Sequence, residues 1–246
     1  STSMLAEALK PNRLEAAKDV AAEFINGRPN DNIGITLFAG ETFTQCPLTV
    51  DHAVLLDMIH NIKCGLITDG TAVGMGIANA VTRLKDSKAK SKVIILLTDG
   101  TNNKGDISPM TAAEIAKSFG IRVYTIGVGT NGMAPYPYPV GNTVQYVSMP
   151  VEIDEKTLTE IAGTTDGNYF RATSNSKLKE VYEEIEKNFK DRMYKDVQAI
   201  DKEVRDENID KLTDEIVAYF TEKVGEEKTE EIMSDIATSI HDLEKK

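Results

Sequence analysis

The sequence has no tryptophan, only two cysteines and no long apolar run. Because a membrane-spanning helix needs about 18 or more apolar residues in succession, the sequence predicts none. The start also lacks the basic and apolar regions of a signal peptide. Cys46 and Cys64 do not have the close spacing of a metal site, so we expect two independent thiols rather than a disulfide. These absences leave the cellular compartment open.

Positive charge is also scarce, with 28 Lys and Arg against 39 Asp and Glu and a formal net charge of −11. Non-specific binding to nucleic acid or to anionic lipid needs a basic face, so this balance argues against both. An acidic chain is compatible with cation binding, although most acidic surfaces are simply solvated. The length of 246 residues suits one domain with an appendage, or two small domains.

Strand and helix patterns alternate over the first two thirds of the chain. The runs "KVIILLTDG" and "IRVYTIGVG" are almost continuously apolar, which is typical of strands buried on both faces. Helical spacing appears over 13–25 and from near Thr71, while "TFTQCPLT" contains Pro47 and suits an edge strand. The pattern predicts an α/β fold with a doubly wound, mostly parallel sheet, helices on both faces and one antiparallel edge strand.

Two segments depart from this alternation. Residues 130–153 are rich in proline and glycine and predict a long loop that could hold a short hairpin near 144–147. Residues 190–246 carry 17 Asp and Glu against 10 Lys and Arg. Their apolar residues recur at helical spacing on both sides of Gly225, which predicts two amphipathic helices. We therefore predict a domain over 1–189 and an acidic helical extension over 190–246, whose helices pack on the domain or bind a partner.

Oxygen-bearing side chains fall where the strands of the predicted sheet end. Ser1 and Ser3 precede the first helix, Thr71 precedes the third, and Asp99 ends a buried strand. Binding groups gather at the carboxyl ends of parallel strands, and hydroxyl and carboxylate oxygens favour hard cations such as Mg²⁺. Taken singly, these residues are typical helix caps and turn residues. Together they predict a metal whose charge is incompletely neutralised, and which therefore attracts an external carboxylate.

The order of the motifs resembles a known family. "STSM", "DGTAVGMGIANAV", "VIILLTDGTNN" and "IRVYTIGVG" are similar to the von Willebrand factor A domain, and most of all to bacterial aerotolerance-operon (Bat-type, BatA-like) members. The resemblance covers roughly residues 1–190. It implies a metal-ion-dependent adhesion site (MIDAS) with Ser1, Ser3, Thr71 and Asp99 as ligands. It also implies Mg²⁺ as the cofactor, with Mn²⁺ or Ca²⁺ as alternatives.

One part of the family pattern falls outside this sequence. The family's first motif begins with an aspartate, which would stand two residues before Ser1, and a strand from the middle of the sheet would precede it. We therefore expect an open position in the sheet. Without that carboxylate we also expect weaker metal binding.

The resemblance implies a protein-binding module rather than an enzyme. The expected ligand is a protein with an exposed Asp or Glu, and family analogy adds a MoxR-type AAA+ ATPase or other von Willebrand A domains as partners. It also suggests tethering to a bacterial cell envelope in the full-length protein. Two alternatives stay open: a metal-independent scaffold that binds through the C-terminal helices, and a Mg²⁺-dependent hydrolase with Asp69 or Asp106 as its base.

Overall fold

The computed structural model describes residues 2–7, 9–89, 91–99, 101–140, 143–151 and 153–244. Contacts divide the chain into two units, Ser1–Lys187 and Asn188–Lys246. A one-turn 3₁₀ segment spans Thr2–Leu5. The helices are α1 (Arg13–Asn26), α2 (His52–His60), α3 (Val73–Leu84), α4 (Pro109–Ser118), α5 (Glu155–Thr164), α6 (Asn175–Val224) and α7 (Glu226–Glu244). The strands are β1 (Ile33–Phe38), β2 (Thr42–Thr49), β3 (Lys92–Thr98), β4 (Ile121–Val128), β5 (Gly132–Val140), β6 (Thr143–Val151) and β7 (Tyr169–Ala172).

A parallel sheet with the strand order β3-β4-β7 forms the centre of the first unit. One face, with Ile94 and Val123, packs against apolar residues of α3, α4 and α5. The opposite face, with Tyr124 and Ile126, packs against residues of α1 and the start of α6. Strands covered by helices on both faces confirm the predicted doubly wound arrangement.

A second sheet contains β1 and β2, which pair antiparallel, as predicted for the edge strand with Pro47. Among the described residues, no strand pairs with the second edge of β1 or of β3. Side chains nevertheless connect the two sheets, because Phe38 of β1 packs against the cluster that contains Ile94 and Leu96 of β3. Backbone pairing is therefore interrupted between β1 and β3 among the described residues, while apolar side chains pack from one sheet to the other on the same face.

The proline-rich segment 130–153 is more regular than the sequence predicts. Instead of a loop with a short hairpin, β5 and β6 pair antiparallel over nine residues each, from Gly132↔Val151 to Val140↔Thr143. Pro135, Pro137 and Pro139 recur at every second position, so their missing amide donors fall along one edge of β5. The other edge keeps its donors for β6, and the expectation of a loop was wrong for this reason.

The start of α4 is fixed by the cap that the sequence predicts. The backbone N–H of Thr111 donates to the Ser108 hydroxyl at 3.1 Å, and Pro109 occupies the first helical position. The cap satisfies one of the amide donors that a helix start leaves unpaired.

We expect Ser108→Ala to lower the free energy of unfolding by about 1 kcal/mol, because the amide of Thr111 loses its acceptor. Urea unfolding followed by circular dichroism measures the change. Ser118→Ala is the control, since that hydroxyl donates only to Ile115 O within the same helix. Equal losses in the two variants would contradict the capping role.

The second unit contains most of α6 and all of α7. The predicted break at Gly225 is confirmed, with φ at +86°. No helix end coincides with the domain boundary predicted at residue 189, however, because α6 continues to Val224. No glycine or proline lies between Asn175 and Val224 to stop it. None of the described helices is long and apolar enough to cross a membrane.

Candidate functional site

Asp99 and Ser3 meet at the carboxyl end of β3. Asp99 directly follows the last residue of β3, and only 2% of it is exposed. The Ser3 hydroxyl, from the 3₁₀ segment at the start of the chain, donates to Asp99 Oδ1 at 2.8 Å. Two residues separated by 96 positions thus form one partly buried polar contact, as the motif order predicts.

Arg13 is the second partner of Asp99. Its Nη1 donates to Asp99 Oδ2 at 2.8 Å, and both side chains are buried, with 0% and 2% exposed. Arg13 is the first residue of α1, where Asn12 caps the helix by accepting from the amide of Glu15. The pair neutralises Asp99 inside the protein, and because it is shielded from water it is a strong constraint on both side chains.

Thr71 joins the same edge through its backbone. Its N–H donates to Asn103 Oδ1 at 2.9 Å, and its carbonyl accepts from the Asn103 N–H at 2.9 Å. Asn102 accepts from the amide of Val73 and so supports the start of α3. The loop after Asp99 therefore holds the loop that contains Thr71, and Thr71 itself is 4% exposed.

The β5–β6 hairpin borders this edge on the side of the 3₁₀ segment. The Tyr146 hydroxyl donates to Glu7 Oε1 at 2.7 Å, and the Glu7 amide donates to Pro135 O. The hydrogen bond from Tyr146 is the main reason why the pKa of Glu7 is lowered, with Lys10 adding to it. A long exposed ribbon thus lies beside the segment that carries Ser3.

The side chain of Cys64 is a protonated thiol rather than a thiolate at neutral pH. Burial raises its pKa, and the negative charges of Asp99 and Asp69 add to this rise. Neither Cys64 nor Cys46 forms a disulfide, as expected from their spacing.

The structure thus assembles part of the predicted ligand set. Ser3 and Asp99 are in contact, and Thr71 is tied to the loop after Asp99, whereas Ser1 lies outside the described residues. Sequence reasoning missed Arg13 and the two asparagines. A cation at the first position of a helix opposes the helix dipole, and this anomaly could have indicated that Arg13 has a specific anionic partner.

The donor set has the chemistry of a hard-cation site, but its charge does not fit a divalent cation. Hydroxyl and carboxylate oxygens suit Mg²⁺. The guanidinium of Arg13, however, already neutralises Asp99 and would repel a second cation at the same carboxylate. Among the described residues, no three His, Cys, Asp or Glu side chains cluster closely enough to hold a metal ion. As arranged here, these residues do not fit the metal that the family resemblance implies.

In doubly wound α/β domains, ligands bind at the carboxyl edge of the parallel strands, and the hydroxyl and carboxylate groups of this chain lie at that edge. The family model for the von Willebrand factor type A domain matches residues 1–184. The chain therefore belongs to the von Willebrand factor type A family. Domains of this family mediate protein–protein interactions, generally as adhesion or scaffold modules, and can hold a divalent metal at the MIDAS motif.

Bacterial relatives agree with this assignment. BatB from Bacteroides thetaiotaomicron is 34% identical with a TM-score of 0.67, over 77% of this chain and 95% of that chain. An aerotolerance-related membrane protein from Bacteroides fragilis is 33% identical with a TM-score of 0.65, over 76% and 94%. A UPF0353 protein from Nocardia farcinica is 32% identical over 76% of this chain and 59% of its own length. The chain spans 47% to 59% of the length of such curated relatives.

Proposed function

We propose that this chain is a non-enzymatic protein-binding module of the bacterial aerotolerance-related type, which receives a protein ligand at the edge formed by Ser3, Thr71 and Asp99. The observation that supports this proposal is the contact between Ser3 and Asp99, together with the two loops that Asn103 ties together. Three distant parts of the chain are brought to one edge of the sheet. By the motif pattern, Ser1 belongs to the same edge.

The ligand group in this proposal is an exposed Asp or Glu carboxylate of the partner. The Thr71 hydroxyl is the proposed donor to it, in a charge-assisted hydrogen bond that is stronger than a neutral one. The single hydrogen of the Ser3 hydroxyl is given to Asp99, so Ser3 positions the site. Mg²⁺ is the cofactor expected from the family, but the pairing of Arg13 with Asp99 disfavours it. Binding is therefore assigned to this chain's own side chains, without a step through a metal.

The partners to test first are a MoxR-type AAA+ ATPase and a second von Willebrand A domain, both taken from the family resemblance. The full-length protein is proposed to be tethered to a bacterial cell envelope, because the similar Bacteroides fragilis protein is described as a membrane protein.

A hydrolase would need a base beside the site, and Asp69 and Asp106 are the candidates. We expect this chain to show no turnover in a phosphatase assay.

We expect Ser3→Ala and Thr71→Val each to weaken binding to the correct purified partner by about tenfold or more, because a hydrogen bond to a charged group is lost. Biolayer interferometry measures the affinity for each candidate partner in turn. Ser87→Ala, whose hydroxyl accepts only a local backbone bond, is the control. Unchanged affinity in both site variants, for a partner that binds the native chain, would contradict the proposed site.

One observation favours a second candidate, a scaffold that binds through the C-terminal helices. Ile209, Leu212 and Ile216 are exposed by 55%, 57% and 36% and recur at helical spacing on α6. Exposed apolar stripes often mark interaction surfaces. Replacing all three by serine separates the two proposals. If the chain binds its partner through α6, this variant loses affinity for the partner, while the Ser3 and Thr71 variants bind normally.

A further inference from the structure

The outer edge of the β5–β6 hairpin on the β6 side carries a row of backbone donors and acceptors. The prolines of β5 show which groups these are. A proline has no N–H to give to β6, so it stands in a pair that forms no backbone hydrogen bonds, and in such a pair both residues point their N–H and C=O groups away from each other's strand. The residues of β6 that pair with the three prolines are Val144, Tyr146 and Ser148. Their backbone groups therefore line the outer edge of β6.

A contact on the opposite side of the hairpin supports this orientation. The carbonyl of Pro135 accepts from the amide of Glu7, so it points outward from β5 and away from β6. On the side of β6, no third strand joins the hairpin in the part of the chain that the structure describes. Residues 145–148 are all exposed, with Tyr146 at 58%. The edge of β6 is therefore accessible to another chain.

The hairpin is also free of charge. Exposed strand edges are usually blocked by charged residues, by proline or by a covering segment. Residues 123–151 include no charged side chain, although the chain has a net charge of −11. Glu7, which accepts from Tyr146, is balanced by Lys10 at 3.1 Å. Two copies of this chain can therefore meet at the hairpin without the repulsion that their net charge creates elsewhere.

We propose that the outer edge of β6 pairs with the same edge of a second copy of this chain, so that two hairpins form one four-stranded antiparallel sheet. An antiparallel pair of identical edges is self-complementary about a two-fold axis, here near Tyr146, and each N–H of one edge meets a C=O of the other. The β6 edge shares no residue with the binding edge formed by Ser3, Thr71 and Asp99, so this dimer goes beyond the proposed function and does not depend on it.

The assembly ends at two copies. Both outer edges of the four-stranded sheet belong to β5, which has prolines where a further strand would need donors. A single pair of strand edges is a small interface, and small interfaces are typical of weak complexes. We therefore expect a dimer that forms and separates with concentration.

Sedimentation equilibrium of the full chain, from low micromolar to near-millimolar concentration, tests the proposal. The average mass should rise with concentration toward that of two copies and no further. Ser148→Pro removes one donor of the outer edge and none that β5 uses, and it should weaken the dimer by about tenfold or more. Pro150 already occupies a position of this kind in β6, opposite Met133. Ser148→Ala keeps the backbone N–H and is the matched control, which should dimerise like the native chain.

Hydrogen exchange of the native chain provides a second measurement that needs no variant and decides if Ser148→Pro does not fold. The amides of Val144, Tyr146 and Ser148 should exchange fast in dilute solution and slowly at high concentration. The amides of Gln145 and Val147 face β5 and should be protected at both concentrations. Outward amides that exchange equally fast at every concentration would overturn the proposal.

The remaining outcomes are equally decisive. A chain that stays monomeric at all concentrations would overturn the proposal, whatever extended segment of another protein the edge accepts. A dimer that is kept in Ser148→Pro but lost in Thr71→Val would place the contact at the ligand edge and would overturn the β6 pairing. Partner binding is measured with the Ser3 and Thr71 variants, so the two proposals can fail separately.

Discussion

Arg13→Met is expected to lower the free energy of unfolding by about 3–5 kcal/mol, because the substitution leaves Asp99 buried without its cation. The carboxylate would keep the Ser3 hydroxyl, which supplies one hydrogen bond and no charge. At 2% exposed, Asp99 cannot recover its hydration without local unfolding. Urea unfolding at neutral pH measures the loss.

A double variant separates the charge effect from the loss of packing. Arg13→Met combined with Asp99→Leu removes both charges, and most of the lost stability should return. Lys177→Met breaks an exposed ion pair with Glu180 and serves as the surface control, with an expected loss below about 1 kcal/mol. If Arg13→Met cost no more than this control, the Arg13–Asp99 pair would not be the constraint that we describe.

Gly129→Ala is expected to lower the free energy of unfolding by about 2–5 kcal/mol, for two separate reasons. The φ angle of Gly129 is +109°, a conformation that residues with a Cβ rarely adopt. The added Cβ would also lie 2.5 Å from Arg13 Nη2 and would push the guanidinium away from Asp99. Denaturant unfolding measures the stability, and the arginine Nε–H spectrum reports the displacement.

Gly163→Ala is the control for this substitution. Gly163 lies in α5, and a Cβ there would meet no atom within 4 Å. Alanine is favoured over glycine in helices, so stability should stay within about 1 kcal/mol and should rise rather than fall. A Gly129→Ala variant as stable as Gly163→Ala would show that the backbone and Arg13 adjust freely, contrary to the close packing described above.

Periodicity was enough to predict most of the fold. The apolar runs at 92–98 and 121–128 became paired parallel strands, and the Ser108-Pro109 start of α4 formed as expected. Local patterns failed where the outcome depended on a partner strand. The prolines of β5 suggested a loop, since a single sequence does not reveal that their missing donors face away from β6.

The candidate site was predictable in position but not in charge. The order of Ser3, Thr71 and Asp99 placed them at one edge, and the structure brings Ser3 and Asp99 together there. The position of Arg13 at the start of α1 hinted at an anionic partner, but nothing in the helical pattern of 13–25 identifies Asp99 as that partner. Only the structure shows that Arg13, 86 residues from Asp99 in the chain, packs against Gly129 and supplies the positive charge beside the Asp99 carboxylate.

The alternating prolines of β5 have a consequence for self-association. A strand edge with free amide donors can pair with a second chain, whereas Pro135, Pro137 and Pro139 offer no donor along the edge of β5 that faces away from β6. That edge of the hairpin is therefore protected against the edge-to-edge pairing that leads to aggregation.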